Sequence, residues 1–181
     1  MFPEFALIEG EKFKINTDYK VALKCFDIIE DETITNQERA LAVIYLLFGF
    51  IPEHNINVFL EKAKYFLQCG ETEEEQITKK KDMDFKQDEK YIYSSFMSDY
   101  HIDLYKSNMH FWEFIYLIQG LTENSSLNRV REIRNYDLST IKDAKERKKM
   151  IEAKKQVALK RNKTLEELKA EEIFRNQLKG C

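Results

Sequence analysis

His110 and Glu113 stand three residues apart, the spacing that sets two side chains on one face of a helix, and Asp99, His101 and Asp103 lie shortly upstream. Such a pair is half of what a helical two-metal site requires. The other half is a second pair of the same kind with further carboxylates, and the sequence holds no second one. His110 therefore reads as a residue at the margin of a core with its ring hydrogen-bonded, and no metal is expected. The three cysteines, Cys25, Cys69 and Cys181, lack the close spacing of a zinc site or a disulfide framework. Cys25 and Cys69 fall in apolar helical stretches and read as small core residues. The glycines, at 10, 49, 70, 120 and 180, are never close neighbours, so no loop can cradle a phosphate. No serine or cysteine sits in a nucleophile motif. Neither catalysis nor a cofactor is expected.

Charge offers a different kind of chemistry. Between Arg129 and Lys163 the chain carries 13 Lys and Arg residues, a density that could track a phosphate backbone. Glu132, Asp137, Asp143, Glu146 and Glu152 interrupt it, and Tyr136 is its only aromatic residue. A solvated helix laced by ion pairs is the better reading, with a small helical regulator binding nucleic acid through 129–163 as the alternative. The net charge of −3 divides unevenly, with 12 basic and 19 acidic residues up to position 90 and 17 basic and 13 acidic beyond it. Such asymmetry can steer copies toward each other or toward a charged partner.

The elements that must position these residues are helical. Only 2 prolines and 5 glycines occur in 181 residues, too little punctuation for an all-β fold, while 43% hydrophobic residues is too much for a disordered chain. The opening ten residues lack the basic and long apolar regions of a signal peptide. The longest apolar run, Ala40 to Phe48, is far short of the ~20 residues that cross a bilayer. A cytoplasmic protein without a membrane partner is expected.

Phe5 to Ile8 and Lys12 to Ile15 flank Glu9-Gly10-Glu11 and predict a small hairpin. Thr17 and Asp18 cap a first helix with two apolar faces, which should be sandwiched. Thr35 and Glu38 form a capping box ahead of a helix that is apolar all round and stops at Gly49, expected to be central and buried. Helices follow over about 55–69, 88–100, 107–119 and 126–135, the fourth with Tyr93, Phe96, Met97 and Tyr100 on one face. Residues 71–87, with their Glu and Lys runs, read as a mobile charged loop. Beyond Leu138 the seam positions Ile141, Ala144, Lys148, Ile151, Lys155 and Ala158 make a poor autonomous coiled coil. Thr164 and Glu167 open a last helix. The expected fold is all-α, a multi-helix domain with a small N-terminal β-hairpin and a long charged C-terminal helical arm. Residues 1–136 form the compact domain and 137–181 the charged tail, which orders on a partner. The partner-binding candidates are Tyr91 and Trp112 from the aromatic clusters, Arg131 and Arg134 from the basic stretch, and Ile141 and Ile151 from the seam.

Several segments, in order, carry a resemblance. They are Phe13 to Tyr19 (FKINTDY), Ile51-Pro52-Glu53, Phe66 to Gly70 (FLQCG), and Asp84 to Asp88 (DFKQD) leading into Tyr91-Ile92-Tyr93. Tyr100 to Leu104 (YHIDL), His110 to Phe114 (HFWEF) and Ile133 to Leu138 (IRNYDL) complete the series. Together they resemble the tail assembly chaperones of long-tailed (siphovirus-type) bacteriophages and prophages of Gram-positive bacteria, over about residues 5–160. The chain has Phe111-Trp112 where that family commonly has paired tryptophans, and its segment after about Lys160 has no counterpart. The resemblance implies a non-enzymatic protein of the host cytoplasm, absent from the mature virion. Such a protein binds the tape measure protein, a very long helical chain, keeps it soluble and helps recruit tail tube subunits. Self-association is expected, since repeated copies along one filament supply avidity.

Overall fold

Glu9 and Gly10 both adopt left-handed backbone, with φ of 51° and 87°, and so turn the chain back on itself in the computed structural model, which describes residues 1–71, 81–160, 167 and 169. That is the geometry of a two-residue hairpin turn whose twist suits the flanking strands. It pairs β1 (Phe5–Ile8) with β2 (Glu11–Lys14) antiparallel, Phe5 opposite Lys14 and Ile8 opposite Glu11. Strand alternation turns Ala6 and Ile8 inward and leaves Phe5 and Leu7 exposed. Everything else of regular structure among the described residues is helical: seven α-helices and one short 3-10 turn.

Residues 3–70 make one compact unit and residues 71–160 another. The first holds the hairpin, α1 (Tyr19–Ile29), α2 (Asn36–Phe48) and α3 (Ile56–Leu67). Asp18 caps α1 by accepting the Lys20 amide at 2.9 Å. The capping box of α2 forms as expected, with Thr35 Oγ1 accepting the Glu38 amide and the Glu38 carboxylate accepting the Thr35 amide. Those bonds hold the exposed Glu38 carboxyl below its ordinary value. Gly49, at φ 82°, ends the helix in the left-handed conformation that a side chain would resist. Two expectations need correction. α1 buries a single face, Tyr19, Ala22 and Cys25, with Ile29 exposed, so it is not sandwiched. α2 buries Val43, Ile44, Leu47 and Phe48 but exposes Tyr45, so it is amphipathic instead of enclosed. An apolar tyrosine ring with a hydroxyl at its end is at home on a surface, and composition alone overstated the burial.

The second unit contains α4 (Glu89–Tyr100), α5 (Phe111–Gln119), α6 (Ser126–Asn135), a 3-10 turn at Leu138–Thr140 and α7 (Ala144–Val157). Phe96 and Phe114 stack at 5.4 Å between centroids, both buried. The inward face of α4 is Ile92, Ser95 and Phe96, not the stripe through Tyr93 and Met97. The cause is polar: Ser95 Oγ donates to the Tyr91 carbonyl at 2.7 Å and accepts the Leu127 amide at 3.0 Å. A serine so used belongs inside, because the Leu127 amide, in the first turn of its helix, would otherwise be unpaired next to a core. α5 begins at Phe111, later than the expected 107, because His110 caps it through Nδ1, which accepts the Trp112 amide at 3.0 Å.

The boundary between units thus falls near residue 70 and not near 136, and α7 belongs with α4 to α6. Residues 81–87, read from sequence as part of a mobile loop, form with Asp88 an ordered strap in which Asp84 and Asp88 are buried. Residues 72–80 of that loop, and the helix expected from Thr164, lie outside the described residues apart from Glu167 and Lys169, which are helical. Phe96→Ala should cost about 3–5 kcal/mol of unfolding free energy by denaturant titration, whereas Thr35→Ala should cost about 1 kcal/mol. Equal losses would mean that Phe96 packs far less tightly than its burial implies.

Candidate partner-binding surfaces

Arg134 leaves α6 near its C-terminus and points inward. Its Nη1 donates to Asp88 Oδ2 at 2.7 Å and its Nη2 to Asp88 Oδ1 at 2.6 Å, a two-pronged ion pair with a carboxylate whose side chain is 1% exposed. Asp88 stands at the N-cap position of α4 but makes no side-chain cap there. Its Oδ2 instead accepts the Asp84 amide at 3.0 Å. Arg134 Nη1 also donates to the Asp82 carbonyl at 2.8 Å, and Nε to the Val157 carbonyl at the end of α7. The Asp88 pairing raises the Arg134 pKa against the opposing effect of burial.

Neighbouring groups extend this network. Arg131 Nε reaches Asp82 Oδ2 at 3.2 Å, and Asn135 Nδ2 donates to the same oxygen at 2.9 Å. Burial pushes the Asp84 carboxyl up, but hydrogen bonds from the Gln87 and Lys86 amides and the ion pair with Lys81 outweigh it and hold the group below its ordinary value. Gln87 grips Lys160 by main chain alone, with Nε2 donating to its carbonyl at 2.9 Å and Oε1 accepting its amide at 2.7 Å. Lys154 Nζ donates to the Tyr136 carbonyl. Arg131 and Arg134, proposed from sequence as partner-facing cations, are engaged within the unit.

The remaining candidates are scattered. Ile141 and Ile151 are half-buried, and α7, which packs along α6, has no fully buried residue. Tyr91 is half-buried beneath Lys90, whose Nζ lies 4.8 Å from the ring centre. Trp112 is half-buried with its ring edge-on to His110. Glu113 is exposed, and His101 Nδ1 lies 3.2 Å from the Met97 carbonyl. Among the described residues no three His, Cys, Asp or Glu side chains converge on a metal position. None of their helices is long and apolar enough to cross a membrane. The ion pairs expected along α7 do not form. Lys142, Lys145, Arg147, Lys148, Lys149 and Lys155 are exposed and pair with no described acidic residue.

The structure shows two apolar surfaces that the sequence reading missed. In the first unit Phe59 is ringed by Phe13, Phe48 and Phe50, with centroids at 5.0, 5.1 and 5.6 Å. Phe59 and Phe48 are buried, while Phe50 is 39% exposed and the next residue, Ile51, is 53% exposed. The cluster is therefore open on one side, where the chain leaves the Gly49 turn. A signal was present: two large apolar residues directly after a helix-ending glycine serve no helix period. In the second unit the rings of Tyr93 and Tyr105 meet at a tilt, 4.9 Å between centroids, with Tyr105 66% exposed, and Met97 lies exposed one turn along α4 from Tyr93.

The family model described as Bacteriophage Gp15 protein matches residues 3–159. The chain belongs to that family. No curated protein and no solved structure matches it. The match spans every element from β1 to α7, so the strap and the open aromatic cluster both lie inside the region the family shares.

Arg134→Met should destabilise the protein by about 3–5 kcal/mol, because it strands a buried carboxylate. Adding Asp88→Leu to that variant should recover part of the loss, which urea titration of the two variants would register. Asp84 is depressed in the folded state, so its contribution is fully present above its ordinary pKa of 3.8 and fades as pH falls through the folded value. Asp84→Asn should therefore be destabilising at neutral pH and converge with the wild type along the acid limb. A gap that stays constant with pH would show that the carboxylate's charge is immaterial.

Proposed function

We propose that this phage protein is a non-enzymatic tail assembly chaperone of the long-tailed phage type found in Gram-positive hosts. It binds the tape measure protein, holds it soluble in the host cytoplasm, helps recruit tail tube subunits, and is left out of the finished virion. Membership of a bacteriophage family supports the setting, and the ordered segments from Phe13 to Leu138 support the kind of protein. The observation that carries the reading is the open aromatic cluster at Phe50 and Ile51. A long amphipathic helix presents apolar side chains at i, i+3, i+4 and i+7, and an aromatic-floored surface with a partly exposed anchor is the kind of site that receives one. The Tyr93, Met97 and Tyr105 surface offers a second contact of the same kind, suiting a client with many similar apolar segments.

Nucleic-acid binding through 129–163 fares less well. Arg131 and Arg134 are turned inward, and α7 carries no aromatic residue on which a base could stack.

Co-expression with the tape measure protein of the same phage should keep that protein soluble and yield a complex that co-purifies. Phe50→Ser with Ile51→Ser should abolish both effects while leaving the melting transition almost unchanged, since both side chains are substantially exposed. Tight binding of duplex DNA at physiological salt, with no effect on tape measure solubility, would transfer the function to the regulator reading.

A further inference from the structure

The N-terminal hairpin has two edges, and they differ in kind. Ile8 and Glu11 close the turn as partners, and further down the ladder Ile15 donates its amide to the Glu4 carbonyl at 2.8 Å. Bonded pairs alternate with unbonded ones along an antiparallel ladder, so Phe5 and Leu7 on β1, and Lys12 and Lys14 on β2, turn their amides and carbonyls outward. Beyond Lys14 the next such residue is Asn16, whose amide donates to the Leu47 carbonyl at 2.7 Å, so the end of α2 already occupies part of the β2 edge. Lysines guard the rest of it, a common protection against pairing with another chain. The β1 edge has neither protection. Its outward residues, Phe5 and Leu7, are apolar and 52% and 59% exposed. Among the described residues neither takes part in a main-chain bond outside the hairpin.

Such an edge complements itself. Run antiparallel to its own copy, β1 sets Phe5 opposite Leu7 of the copy and Leu7 opposite Phe5 of the copy, with the small Ala6 residues facing each other on a two-fold axis. The outward amides and carbonyls of both residues are then all paired. Shifting the register either way fails, because it would call on Pro3, which has no amide, or on Glu9, which is left-handed at φ 51°. Charge selects the same edge. Lys14 stands opposite Phe5 and Lys12 opposite Leu7, so pairing through β1 keeps the lysines of the two copies three strand spacings apart, about 14 Å, beyond the screening length at physiological salt. Pairing through β2 would set lysine directly against lysine at about 5 Å. We propose that β1 pairs with β1 of a second copy of this chain, making one antiparallel sheet whose outer face joins Phe5 and Leu7 of both copies in an apolar strip. The contact is isologous and closes at two copies, since each free edge is consumed by the other. A four-residue edge buries far less than the about 800 Å² per partner of a standard interface, so the dimer forms only as concentration rises. It needs no tape measure protein and stands or falls separately from the function proposed above, while offering a client two copies of each apolar surface.

Sedimentation velocity on the full chain should show a monomer–dimer equilibrium that moves toward dimer as protein approaches about 1 mM, and that survives about 500 mM salt because main-chain and apolar contacts are not screened. Phe5→Lys/Leu7→Lys should weaken the dimer roughly tenfold or more, by setting cations side by side across the edge. Leu7→Pro removes an outward amide from each copy and no bond of the hairpin ladder, and should weaken it likewise. Lys12→Ala/Lys14→Ala should leave it intact. Cysteine pairing reads the register. A mixture of Phe5→Cys and Leu7→Cys proteins should form a disulfide-linked dimer under mild oxidation, because residues opposite each other in a bonded pair have Cα atoms about 5.5 Å apart. Either variant alone should cross-link no more than the wild type, whose own cysteines set the background. This mixture decides the matter whether or not Leu7→Pro folds. A wild type that stays monomeric at about 1 mM would overturn the proposal. So would a dimer indifferent to Phe5→Lys/Leu7→Lys, or cross-linking as strong within one variant as in the mixture. A dimer lost in Lys12→Ala/Lys14→Ala would also overturn it, by assigning the contact to β2.

Discussion

The buried pair of Arg134 and Asp88 governs how the second unit is put together. Removing two charges from water carries a penalty of several kcal/mol per ion, and the pair's mutual attraction offsets it only when the remaining hydrogen-bonding capacity is also used. Here it is used. The carboxylate accepts the Asp84 amide as well as both prongs of the guanidinium, and the guanidinium reaches the carbonyls of Asp82 and Val157. One side chain on α6 thereby fastens the strap, the start of α4 and the end of α7. The net stabilisation of such a pair over a well-packed apolar substitute is small or absent, so what it contributes is a single arrangement of these segments.

The first unit rests on different physics. Its elements are joined by apolar packing around Phe59, Phe66 and Ile44 and by main-chain bonds, such as that from Asn16 to the Leu47 carbonyl. The Cys25 thiol is buried there and pushed up to about 12 by loss of solvent, so it stays protonated and behaves as a small apolar group. Exposed aromatics are left at the rim of this packing, not in a separate groove, which means that the residues facing outward are braced from behind by the core itself.

Much of the helical framework was legible because its signals are local. Thr35 with Glu38, Gly49 and the Glu9-Gly10 turn each announce an element within a few residues, and all three function as the sequence suggests. What could not be read were relationships over long separations. Asp82 and Asp88 look like solvated charges until Arg131 and Arg134, some fifty residues away, are known to face them. The same two arginines were misjudged as outward-facing for the same reason. The face of α4 was misassigned because apolar periodicity gave no weight to Ser95, whose hydroxyl has work inside. Of the candidate surfaces, α7 was visible as a run of charge, but its lack of internal ion pairs was not. The exposed rings at Phe50 and Tyr105 belong to no apolar stripe, so periodicity gave them no role.

α7 is held mainly by atoms that every residue possesses. Arg134 grips the carbonyl of Val157, Gln87 grips the amide and carbonyl of Lys160, and no side chain of the helix is fully buried. Identity at most positions along it is therefore nearly free to drift over evolutionary time, provided the segment stays helical. Length is not free. Inserting or deleting one residue turns everything beyond it by about 100° and moves it about 1.5 Å along the axis, which would carry the gripped carbonyls away from their donors. Related sequences should thus vary widely in composition here while preserving the number of residues between Arg134 and Lys160.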